Sequence, residues 1–158
     1  SIQYFTYYTP EYRKPLWFRE ACLERDGRRG LAYEIVKRMN RELHARADNR
    51  FTDAKRVATA HTDPAPNGTV KLSELPPFVK RLEAKGALVS LLRRDDEEIF
   101  MVVNRDLNRF MRLDIDIEPG VNRVLEDGEV VDAELYGKTY RLEPGYAEIF
   151  LFKRNDNN

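Results

Sequence analysis

The residues of this chain that could do chemistry are few, and their spacing ties most of them to ordinary structural work. Asp114, Asp116 and Glu118 fall at every second position, so a strand would carry all three on one face. Calcium favours clustered oxygen ligands, but its sites draw on loops with several carbonyls, and a solvated strand face is the expected role. Asp95, Asp96, Glu97 and Glu98 form a second acidic cluster, read as a solvated turn. His44 and His61 are the only histidines and have no partners at metal-site or triad spacing. His44, near the end of a predicted helix, would interact favourably with the helix dipole when protonated. Cys22 is the only cysteine, so neither an internal disulfide nor a multi-thiolate zinc site can form within this sequence. Gly27 and Gly30 lack the spacing of a phosphate-binding loop. No metal and no cofactor are expected.

Composition agrees with that sparse chemistry. The 158 residues balance 27 Lys+Arg against 27 Asp+Glu, with 42% hydrophobic and 34% charged residues. Such a chain has an ordinary charged surface, and no basic excess points to nucleic acid. No apolar run approaches the ~20 residues that would cross a bilayer, so no membrane partner is expected. Residues 2–8 (IQYFTYY) read as a strand rather than a leader.

The elements that must position these residues can be read from periodicity. Residues 30–45 (GLAYEIVKRMNRELHA) predict a helix: Leu31, Ile35, Met39 and Leu43 recur every four residues, with Lys37, Arg38, Arg41 and Glu42 opposite. Residues 87–104 predict a β-hairpin turning at Asp95, Asp96 and Glu97. Ile99, Met101 and Val103 point one way, Phe100 and Val102 the other, so the hairpin should be central in its sheet and covered on both faces. Residues 109–117 alternate cleanly and predict a half-buried strand. Shorter strands are predicted at 56–62, 121–125, 129–135, 139–142 and 147–153, most of them bounded by Gly, Pro or Asp, while Glu, Ala and Lys in residues 78–85 favour a helix and their place before the hairpin suits a strand. The predicted fold is mainly β: an antiparallel β-sandwich preceded by a single β/α unit. Leu91, Met101, Val103, Leu113, Ile115, Ile149 and Leu151 are its predicted core. A boundary near 47 divides the chain into residues 1–47 and 48–158.

The order of these parts resembles the C-terminal end of bacterial (β/α)8-barrel glycoside hydrolases that carry a terminal β-sandwich. The strand FTYYTP at 5–10 resembles a final barrel strand, and ERDGRRGLAYEIVKRMNREL at 24–43 resembles the closing helix. MVVNRD at 101–106 and YRLEPGYAEIFLF at 140–152 are similar to two strands of the terminal sandwich. The resemblance implies that residues 1–47 are the last strand and helix of an otherwise absent barrel, and that residues 48–158 brace it. It implies a parent enzyme that hydrolyses a β-linked glycoside without a cofactor, with an extracytoplasmic or secreted parent in view. The catalytic carboxylates of the retaining barrels sit on the fourth and seventh strands, so no catalytic residue is expected in this chain. Tyr7, Tyr8 and Trp17 would lie at the active-site end of the last strand and contact sugar rings, unless they fill the core between strand and helix. Ser1 is read as a cut inside a longer protein, and the isolated chain is expected to self-associate or to be marginally stable, because the strand at 2–8 lacks its parallel neighbours and the helix stripe its barrel wall.

Two rival readings remain. One is a non-catalytic carbohydrate-binding or protein-interaction module, with Tyr136, Tyr140 and Tyr146 as the available aromatics. The other is a complete small enzyme using Glu20, Glu34 or an acidic strand residue.

Overall fold

The computed structural model describes residues 21–136 and 138–154. It is mainly β, with two antiparallel sheets and, among the described residues, one α-helix. The chain divides into two compact units, residues 1–45 and 46–158.

In the first unit, residues 21–30 form a tight turn that leads into the helix. The amide of Gly30 donates to the Cys22 carbonyl at 2.9 Å, and Leu23 bridges Arg29. A Cβ at Gly30 would stand 2.4 Å from the Ala21 carbonyl oxygen, so only glycine fits this approach. Helix α1 (Leu31–Ala47) follows, beginning one residue later and ending two residues later than the periodicity predicts. Its apolar stripe is exposed: Leu31 is 71%, Ile35 47%, Met39 51% and Leu43 44% accessible.

The second unit holds, among the described residues, nine strands: β1 (Lys55–His61), β2 (Val79–Ala84), β3 (Ala87–Arg94), β4 (Glu97–Asn104), β5 (Met111–Ile117), β6 (Asn122–Val124), β7 (Val130–Asp132), β8 (Thr139–Leu142) and β9 (Ala147–Lys153). One sheet has six strands in the order β1-β3-β4-β9-β6-β7; the other has three, β2-β5-β8. The predicted hairpin is β3–β4, paired from Ala87 with Asn104 to Arg94 with Glu97. Its two-residue turn is Asp95-Asp96, with Asp95 at φ 50°; Glu97 already belongs to the strand. The expected strand over 129–135 is shorter than predicted. It ends at Asp132, and Ala133–Tyr136 coil into a 3-10 helix. The Asp132 carboxylate accepts the Glu134 amide at 2.9 Å, which caps that turn and breaks the extended run.

The two sheets share one core. Val89, Phe100, Val102 and Phe150 of the six-stranded sheet meet Leu113, Ile115, Tyr140 and Leu142 of the three-stranded sheet. Phe78, just before β2, stacks on Phe152 at 4.7 Å and meets the edge of Phe100 at 6.1 Å. The other face of the six-stranded sheet carries a second cluster, Ile99, Val124, Ile149 and Leu151, with Phe51, Ala54, Leu92 and Met101 against it. That second cluster is why β4 and β9 are apolar on both faces. Leu91, Met101 and Val103 are half-buried rather than fully buried, a departure from the predicted core. Leu91 borders the core between the sheets, whereas Met101 and Val103 lie on the outer face of the six-stranded sheet, which is covered only in part.

The β1 edge of the six-stranded sheet is blunted. β1 is bulged between Arg56 and Ala58 and is mostly exposed, with Lys55 and Arg56 at its start.

Leu113 is fully buried, whereas Met101 is half-buried on the outer face. Leu113→Ala should therefore cost about 2–5 kcal/mol in denaturant unfolding, and Met101→Ala clearly less. Equal losses would contradict the assignment of the core to the space between the sheets.

Candidate functional site

Two clefts among the described residues of the second unit hold its chemistry. The first, about 490 Å³, is lined by Arg123, Leu125, Glu126, Asp127, Arg141, Glu143, Tyr146 and Glu148. At its base Arg123 and Glu148 form a bidentate pair, at 2.7 and 2.8 Å, with the Glu148 side chain 3% exposed. β6 and β9 bring them together: Arg123 pairs with Phe150, placing its side chain beside that of Glu148 on the inner face. The Arg123 guanidinium also lies over the Tyr140 ring, 4.6 Å from its centroid. Burial raises the pKa of the Tyr140 hydroxyl, with the Arg123 charge opposing that rise. Nearby, Arg141 pairs with Glu143 at 3.2 Å. Glu148 thus accepts two charge-assisted hydrogen bonds from Arg123, and the pair forms a buried structural tie between β6 and β9.

The second cleft, about 470 Å³, lies where the β2–β3 turn meets the loop joining β4 to β5. Asn104 builds it. This residue is 2% exposed, and its side-chain amide donates to the carbonyls of Arg109 (2.8 Å), Leu142 (3.1 Å) and Glu143 (3.1 Å). Its Oδ1 accepts the Asp106 amide at 3.0 Å. Asp106 Oδ1 then accepts the amides of Asn108 and Arg109 at 2.8 and 3.0 Å. Residues 104–109 are thereby folded into a fixed loop. Phe110 and Leu107, 59% and 79% exposed, project from this region.

The residues singled out in the sequence take these places. Tyr7, Tyr8, Trp17 and Glu20 lie outside the described residues. Glu34 is exposed and 3.9 Å from Arg29. Asp114, Asp116 and Glu118 are not gathered around a metal position: each has its own cation. Asp114 accepts from Arg112 at 2.7 Å, Asp116 from Lys138 at 2.7 Å, and Glu118 faces Lys80 at 3.0 Å. Among the described residues no group of three or more His, Cys, Asp or Glu could hold a metal ion. In the hairpin cluster, Glu98 is buried against Arg93 at 2.6 Å, so only part of that cluster is a solvated turn. Among the described residues no helix is long and apolar enough to cross a membrane. Tyr140 is buried beneath Arg123, and the half-buried Tyr146 has the Arg46 guanidinium 4.8 Å from its ring centroid.

Phe110 and the cations around it escaped the sequence reading. The available signal was an aromatic residue in a stretch with two arginines, RDLNRF at 105–110. No protein-family model, no curated protein and no solved structure matches the chain.

Two predictions rest on these ion pairs. Glu148→Gln leaves Arg123 without its carboxylate and should lower unfolding free energy by about 3–5 kcal/mol, as broken buried pairs do. Loss of under about 1 kcal/mol, the range of exposed pairs, would contradict the buried geometry. The second concerns acid. The hydrogen bond from Arg112, with that from Thr139, holds the Asp114 carboxyl below its ordinary 3.8. That from Lys138 does the same for Asp116. Their contribution is complete above the ordinary carboxyl range and is lost as pH falls through the lowered values. The variant Asp114→Asn/Asp116→Asn should lose less stability than the parent between about pH 5 and about pH 2 in urea titrations. A slope as steep as the parent's would contradict the assignment.

Proposed function

We propose that the chain is the C-terminal part of a carbohydrate-active enzyme, a glycoside hydrolase. In this reading residues 1–47 are the last strand and helix of a (β/α)8 catalytic barrel, and residues 48–158 are an accessory antiparallel β-sandwich that braces it. The observation that carries the reading is the exposed stripe of α1. Leu31, Ile35, Met39 and Leu43 lie one turn apart on a 17-residue helix, and each is at least 44% accessible. A stripe of this kind ordinarily faces a core, and when exposed it marks a missing partner. A barrel wall is the surface that such a helix covers. The half-buried Leu88, Leu92, Met101 and Val103 on the outer face of the six-stranded sheet support the bracing role.

The catalytic carboxylates then belong to other barrel strands, and Tyr7, Tyr8 and Trp17 contact the sugar at the end of the last strand. The principal alternative is a non-catalytic carbohydrate-binding or protein-interaction β-sandwich, favoured by the exposed Phe110 ring.

Sedimentation and the upstream reading frame test the proposal together. The isolated chain should self-associate, and Ile35→Lys/Met39→Lys should render it monomeric with its helix content unchanged. The coding sequence before Ser1 should supply further β/α units with two carboxylates at strand ends, and the chain alone should leave aryl glycosides intact. A stable monomer of the parent sequence, with no barrel encoded upstream, would contradict the proposal and favour the binding module. Robust hydrolysis abolished by Glu34→Gln would contradict it as well.

A further inference from the structure

The cleft built on Asn104 has a lopsided charge. Lys85, Arg105, Arg109 and Arg112 line it against one carboxylate, Asp106. Asp106 Oδ1 is already engaged by two backbone amides. Arg112 is paired with Asp114 and drops out of the count. Arg105 is different. Its Nε donates to the Gly86 carbonyl at 2.8 Å, and its Nη2 to the Pro64 carbonyl at 2.7 Å. These neutral acceptors fix the guanidinium without cancelling its charge, and they leave N–H groups of the fork to spare. Gly86 itself stands at φ +73°, the left-handed region that favours glycine in the β2–β3 turn. Lys85 and Arg109 carry no ion pair among the described residues. Beside them Phe110 is 59% exposed, and the Arg141 guanidinium lies 4.3 Å from its ring centroid.

We propose that this cleft binds an acidic saccharide, taking the oxyanion of one sugar with Lys85, Arg105 and Arg109 and setting the apolar face of a ring against Phe110. A preset guanidinium and two further cations suit an oxyanion, because charge-assisted hydrogen bonds are the strong ones. An exposed aromatic ring suits the C–H face of a sugar. The saccharide half rests on the reading of the chain as part of a carbohydrate-active enzyme; the cationic half stands on the cleft alone.

The test is an NMR titration of the full chain with three probes: trigalacturonate, neutral galactotriose and sodium acetate. Trigalacturonate should shift the amide signals of residues 105–110 and bind less tightly as salt rises. Lys85→Ala and Arg109→Ala should each weaken it about tenfold, as loss of a charge-assisted contact does. Phe110→Ala should weaken trigalacturonate binding and leave acetate binding unchanged. Galactotriose should bind much more weakly than trigalacturonate. Each variant is at an exposed position, so its one-dimensional spectrum should remain that of the folded parent. No shift at residues 105–110 would overturn the proposal. Acetate binding as tightly as trigalacturonate, an adventitious ion only, would overturn it too, as would tight binding of galactotriose. None of these probes reports on the barrel or on self-association. Failure of this titration leaves the bracing role standing, and failure of the bracing role leaves the titration valid.

Discussion

The buried amide of Asn104 is the interaction on which the two-sheet body most depends. It sits at the end of β4 in the six-stranded sheet, yet its side chain accounts for carbonyls at the end of β8 in the other sheet and in the loop between. Its own amide donates to the Tyr146 carbonyl at 2.9 Å, just before β9. One residue therefore ties together the close of the hairpin, the entry to β5, the exit from β8 and the entry to β9. A buried polar group without partners costs about 1–3 kcal/mol, and in this clamp several would be stranded at once. The arrangement also explains why the loop at 104–109 needs no helix or strand to hold its shape.

From this clamp two consequences follow in opposite directions. Inward, it brings the sheets close enough for Phe78, Phe100, Phe150 and Tyr140 to fill the space between them. Outward, it fixes the loop that carries Arg109 and Phe110 toward solvent. The ion pairs on the body divide in the same way. Arg123–Glu148 is buried and structural, with Tyr140 beneath it. The pairs along β5 and its neighbours are exposed, and their sheet face is a charged lattice in which each acid has a cation at hand. The exposed stripe of α1 belongs to a separate unit and raises a separate need, which the proposed barrel would meet.

Much of this was legible in the residues themselves, and the limits have physical causes. The hairpin's two-faced apolar pattern predicted a central pair, and β3 and β4 are flanked by β1 and β9. Alternation in MRLDIDI placed Met111, Leu113, Ile115 and Ile117 on one buried face. The end of β7 was missed because Asp132 caps a 3-10 turn, a local hydrogen bond that periodicity does not register. Half-burial of Leu91, Met101 and Val103 was missed because apolar identity alone does not tell how completely a face is covered. The basic cleft was invisible for another reason. Lys85, Arg105 and Arg109 are up to 24 positions apart, and only the meeting of two strand connections makes them neighbours. No spacing rule for strands or helices encodes that meeting.

Amide hydrogen exchange on Asn104→Ala, compared with the parent chain, tests the clamp most directly. Loss of the side chain should release residues 105–110 and the β8–β9 connection together, while the centre of the β3–β4–β9 pairing retains most of its protection. Unchanged protection at both connections would contradict the clamping role of Asn104, as would release of one connection without the other.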